Sequence, residues 1–105
     1  MKAKGEYMLE EIENKIDQEY EKMEKNQILQ EEVNKLNKSL TACIEIVSSS
    51  ISNQHTLERL EQLREDNTAS YNRIKNDIDE KIENVRDTIS QLKDEEKKIR
   101  EESEE

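Results

Sequence analysis

The sequence predicts an all-α fold: an elongated antiparallel two-helix coiled-coil hairpin that oligomerises into a helical bundle. Three observations lead there. Tyr71, Ile78, Val85, Leu92 and Ile99 recur at every seventh position, with Ile74, Ile82 and Ile89 between them, in a stretch otherwise almost wholly charged or amide. A helix turns about 100° per residue, so this spacing draws one narrow apolar edge along a charged rod, and only another helix can bury such an edge. The 105 residues include no Pro, Trp or Phe and a single Gly, so the turn and aromatic residues that a β fold needs are missing. The hydrophobic share is 30% against 42% charged, too little apolar surface for a compact globule and enough for a thin seam. A disordered chain can share that composition, but it would carry no register.

Residues 1–5 are expected to fray, and a first helix is expected over about 6–50. Its apolar positions are Leu9, Ile12 and Ile16, then Tyr20 and Met23, at steps of three or four. Glu11 with Lys15 and Glu21 with Lys25 have the favourable acid-to-base i,i+4 order. Asn26 and Gln27 fall where the stripe should continue, and Leu29, Val33, Leu36 and Leu40 resume it after a slip in register. Ile44, Val47 and Ile51 carry it on.

The stretch from Ser39 to Leu57 has one formal charge, Glu45, and is rich in Ser, Thr and Asn. These side chains compete for backbone hydrogen bonds and weaken helix interiors. A turn is therefore expected at about 51–56, with Thr56 or a neighbour capping the next helix. The competing reading is a continuous helix sheathed by partners. A turn here leaves two arms of roughly 68 Å each, matched as a hairpin requires.

A second helix is expected over about 57–102. It opens with Leu57, Leu60 and Leu63, and the heptad extended backward from Tyr71 puts Arg64 and Asn67 in seam positions. Polar residues there weaken a coiled coil and fix its register. Residues 66–70 are the second candidate for a break. The acidic tail opposes the helix dipole and should fray. The whole chain, 1–105, is then one helical domain. Its interaction seam comprises Leu9, Ile12, Ile16, Leu29, Val33, Leu36, Leu40, Ile44, Val47, Ile51, Leu57, Leu60, Tyr71, Ile74, Ile78, Ile82, Val85, Ile89, Leu92 and Ile99.

The net charge of −10 is spread along the chain: 7 basic against 10 acidic residues in 1–40, 2 against 5 in 41–70, and 8 against 12 in 71–105. No basic face is visible for phosphates, so direct nucleic-acid binding is not expected, and an anionic membrane surface would repel the chain. No stretch is apolar enough to insert in a bilayer, and no secretory signal is read at the N-terminus, so a cytoplasmic location is expected, with a nuclear one or export by a non-classical route as the alternatives.

Site chemistry is equally sparse. Cys43 is the single cysteine and His55 the single histidine. They supply neither a zinc ligand set nor a convincing base–nucleophile pair. Cys43, between Ala42 and Ile44, reads as a small buried hydrophobe and His55 as a polar turn residue. The acidic runs at Asp77-Ile78-Asp79-Glu80 and Asp94-Glu95-Glu96 lack the Gly of a calcium loop and read as solvated helix faces. The sequon Asn37-Lys38-Ser39 falls inside the helical pattern. No catalytic residue, metal or cofactor is expected.

The function expected is non-enzymatic: a structural or assembly protein acting through coiled-coil contacts with protein, as a homo- or hetero-oligomer. The alternative is a small acidic helical binder, such as a secretion chaperone or co-secreted partner, or an inhibitor or nucleic-acid mimic occupying a basic surface.

Overall fold

A computed structural model describes residues 4–103. They form an all-α helical hairpin of two helices, α1 (Lys4–Ser50) and α2 (Gln54–Ser103). Only Ile51, Ser52 and Asn53 among the described residues lie outside them.

Several bounds differ from those expected. Helix α1 already includes Lys4 and Gly5, with Glu6 placed favourably in its first turn. Helix α2 begins at Gln54, three residues early, because the cap is Asn53 and not Thr56. Asn53 Oδ1 accepts the backbone N–H of Thr56 at 3.1 Å, and Asn53 O accepts Leu57 N–H at 3.0 Å. Thr56 is thus the third helical residue, its free N–H satisfied by the Asn side chain. His55 sits exposed in the first turn of α2, not in the loop. At the other side of the turn, the hydroxyls of Ser49 and Ser50 both donate back to Ile46 O in the last turn of α1, at 2.8 and 3.0 Å, and so find their partner within the helix. No described residue has positive φ. The chain reverses through ordinary backbone conformations, which is why it needs no Gly.

Residues 66–70 do not break α2. Gln62 Nε2 donates to Asp66 Oδ1 at 3.0 Å, an i,i+4 pairing that supports the helix there. The acidic end is likewise helical through Ser103. Arg100 in the last turn opposes the dipole penalty and bonds Glu13 Oε1 at 3.0 Å. Fraying at 1–3 and 104–105 concerns positions outside the described residues.

The chain divides into two compact units. The first joins the chain up to Gln27 with the chain from Glu80 onward. Its two segments run antiparallel, since Glu13 meets Arg100 while Tyr20, seven residues on, meets Lys93, seven residues back. Ile12, Ile16, Ile82, Val85 and Ile89 form its buried core, with Leu9, Met23, Leu92 and Ile99 half-buried around them. Tyr20 is not in this core. Glu19 takes the half-buried position, and the Tyr20 ring lies outside with Lys93 Nζ 5.3 Å from its centroid. Tyr20 foremost, then Glu96, holds the Lys93 pKa above its ordinary value.

The second unit, Ile28–Asp79, is the hairpin closed by the turn. Its segments also run antiparallel, through Gln30 to Asp79, Asn34 to Tyr71 and Asn37 to Asn67. Ile44 and Ile78 are the only buried apolar residues in it, the rest being half-buried or exposed. This unit carries the candidate site.

Candidate interaction surface

Within the second unit α1 presents two stripes, one residue apart. The inward stripe is Gln30, Asn34, Asn37, Thr41, Ile44 and Ser48, all buried or half-buried. The outward stripe is Leu29, Leu36, Leu40, Cys43 and Val47, all exposed. Val33 lies half-buried between them. The more polar face is thus the one turned to α2, and the reason is visible in the pairings. Tyr71 Oη donates to Asn34 Oδ1, Asn67 Nδ2 to Asn37 Oδ1 at 3.4 Å, and Gln30 Nε2 to Asp79 Oδ1 at 2.8 Å. Turning the leucines inward would break these bonds and bury apolar groups against Arg64, Asn67 and Tyr71, polar groups that need partners of their own. Even so the layer is incompletely satisfied, because Arg64 Nε is buried without a hydrogen-bond partner.

The slip in register expected after Met23 therefore does not occur in the packing. The seven-residue repeat that passes Leu9, Ile16 and Met23 continues to Gln30, Asn37, Ile44 and Ile51, each buried or half-buried. Asn26, on the interleaved repeat, stays half-buried in the first unit, its amide donating to Lys22 O at 2.8 Å. A helical side chain satisfied by its own backbone can hold a seam position without an apolar partner. Leu29, Leu36, Leu40 and Val47 belong to a different face.

The twenty expected seam residues divide accordingly. Ile12, Ile16, Ile44, Ile78, Ile82, Val85 and Ile89 are buried, and Leu9, Val33, Ile51, Leu57, Leu60, Tyr71, Leu92 and Ile99 half-buried. Leu29, Leu36, Leu40, Val47 and Ile74 are exposed. Cys43, expected as a buried hydrophobe, is exposed too. Asn37 of the sequon is engaged with Asn67 and half-buried. Leu63, read as one of the apolar residues opening α2 but left out of the expected seam, is exposed and stands opposite the outward stripe. The expectation missed the amides at 30, 34 and 37. The unbroken repeat from Leu9 could have found two of the three.

Leu40, Cys43, Ile44, Val47, Leu60, Leu63 and Asn67 line an open hollow of about 290 Å³ between the two helices. A smaller one of about 70 Å³ continues it, past Val33, Leu36, Ser70, Tyr71 and Ile74, and shares Leu40 and Asn67 with the first. Together they make an apolar groove along one side of the second unit. Leu36, Leu40, Val47, Leu63 and Ile74 are exposed along it, and a run of exposed apolar side chains of this kind is often functional on a single chain. The stretch forming most of it, 36–64, is electrically balanced: Lys38, Arg59 and Arg64 against Glu45, Glu58 and Glu61.

Among the described residues no group of three or more His, Cys, Asp or Glu is placed to hold a metal ion, and no helix is long and apolar enough to cross a membrane. Comparison with protein-family models, curated proteins and solved structures finds no match.

Proposed function

We propose that this is a non-enzymatic structural or assembly protein that works by coiled-coil contact with other protein. The observation that carries this reading is the groove: a helical face whose Leu29, Leu36, Leu40 and Val47 are 41–60% exposed, on a chain otherwise rich in charge. Exposed apolar side chains along one helix face are the knobs of a helix–helix interface without its second half. A photo-crosslinking residue placed at Leu40 or Leu63 should give discrete protein adducts in the native setting, while one at Glu21 or Asp87, on exposed positions of the first unit, should give none. Absence of adducts from the groove, or the same adducts from all four positions, would contradict the reading.

The charge distribution favours one second reading. Because 36–64 is balanced, the whole net charge of −10 lies elsewhere on the chain, and those regions suit a binder of basic surfaces. Partner binding of that kind weakens steeply between about 0.05 and 0.5 M salt, whereas contact through the groove changes little.

A further inference from the structure

We propose that the occupant of the groove is a second copy of this chain. The two copies pack about a two-fold axis that passes beside Cys43, with the stripe Leu36, Leu40 and Val47 of each seated between α1 and α2 of the other. This inference rests on the reading of the groove as a docking face and names what docks there.

Charge selects the occupant. A chain of net charge −10 repels its own copy wherever its acidic excess is presented, and the balanced stretch 36–64 is where two copies meet without that cost. A basic partner gains nothing at a neutral face and is drawn to the acidic remainder instead. The chemistry of the surface agrees. The interface between identical partners is mostly apolar at its centre, and the exposed Leu36, Leu40, Val47 and Leu63 offer such a centre. The symmetry also fits, because an isologous contact needs one patch complementary to itself, and this patch offers both leucine knobs and an open hollow of about 290 Å³ to receive them. Cys43 is the smallest of the exposed side chains in the hollow, which marks where two α1 helices come closest. The second unit, with Ile44 and Ile78 as its only buried apolar residues, gains in the pair the second layer that a two-helix packing lacks.

The test is sedimentation equilibrium of the full chain over a concentration series, with Leu36→Asp and Leu40→Asp alongside. The wild type should approach twice 12.5 kDa by about 100 μM, unchanged by salt, and each variant should dissociate at least about tenfold more readily while keeping its helical circular dichroism. Leu36 is 60% exposed in the single chain, so that variant folds even if Leu40→Asp does not. A bis-maleimide with a spacer of about 8 Å, roughly the distance between packed helix axes, should link Cys43 to Cys43 of the second copy in the wild type and not in the variants. A wild type that stays monomeric overturns the self-pairing; groove adducts to a different protein would then leave the docking reading standing, and their absence would end both. A dimer that survives both substitutions unchanged places its interface elsewhere and overturns the proposal.

Discussion

Replacing Ile44 and Leu36 by Ala, each alone, separates the two stripes of α1 by experiment. The two residues lie on one helix of one unit, about two turns apart, and both belong to the apolar pattern of the sequence. Ile44 is 7% exposed and Leu36 60% exposed. Ile44→Ala removes three carbons from a buried site, roughly 2.4 kcal/mol of transfer free energy, and leaves a cavity that brings the cost to about 3 kcal/mol. Leu36→Ala removes three carbons of which less than half of the surface is covered, about 1 kcal/mol, and Ala regains a few tenths through helix propensity. The assay is urea unfolding followed by circular dichroism, at a concentration where sedimentation shows one chain, so that pairing does not enter. With a slope of about 1–1.5 kcal/mol per molar urea, the midpoint should fall by roughly 2–3 M for Ile44→Ala and by under about 1 M for Leu36→Ala. Equal shifts would refute the assignment of the polar stripe to the interior. A larger shift for Leu36→Ala would mean that the helix is rotated by one residue.

Three other substitutions probe single features. Asn53→Ala should lower stability by about 1 kcal/mol through loss of the α2 cap, with most of it restored in Asn53→Asp, as read by thermal unfolding. Arg64→Leu should raise stability by about 1 kcal/mol, because it removes a buried Nε that has no partner and adds apolar contact; a loss of stability would show that the guanidinium is satisfied in solution. Arg100→Ala should cost no more than about 0.5 kcal/mol at low salt and nothing measurable in about 1 M NaCl, since its bond to Glu13 joins half-exposed side chains; a salt-independent loss would point to packing by the Arg stem instead.

The sequence was legible to different depths along its length. The heptad from Tyr71 to Ile99 marked the positions that the fold buries or half-buries, with only Ile74 exposed, because there the apolar stripe and the packing stripe coincide. In that stretch the residues off the stripe are almost all charged or amide, so only one face could turn inward. The turn was visible as a charge-poor, Ser-rich stretch, but its place was not: any of several Ser, Thr or Asn residues could cap a helix, and the side-chain bond from Asn53 to Thr56 N–H chose one. The continuity of α2 through 66–70 was the expectation, and the break that its residue types offered as the lesser candidate does not occur. Residues of weak helix propensity stay helical when neighbouring turns are held in place by packing.

Periodicity and composition alone thus determined that the chain is all-α, that it turns near its middle, and that a narrow apolar edge runs down its second arm. Those properties follow from the geometry of a single helix and the residue types on it. Tertiary structure decided which of two adjacent stripes on the first arm faces α2 between Ile28 and Asp79. Leu29, Leu36, Leu40 and Val47 are the more hydrophobic choice, and burial by hydrophobicity alone would take them inward. The opposing arm, however, presents Arg64, Asn67 and Tyr71 there, and Asn34 and Asn37 satisfy two of those three where leucines could satisfy none. The cost of unpaired polar groups in one arm sets the face of the other, and so the leucines are left outside, on the surface that carries the function proposed for this protein.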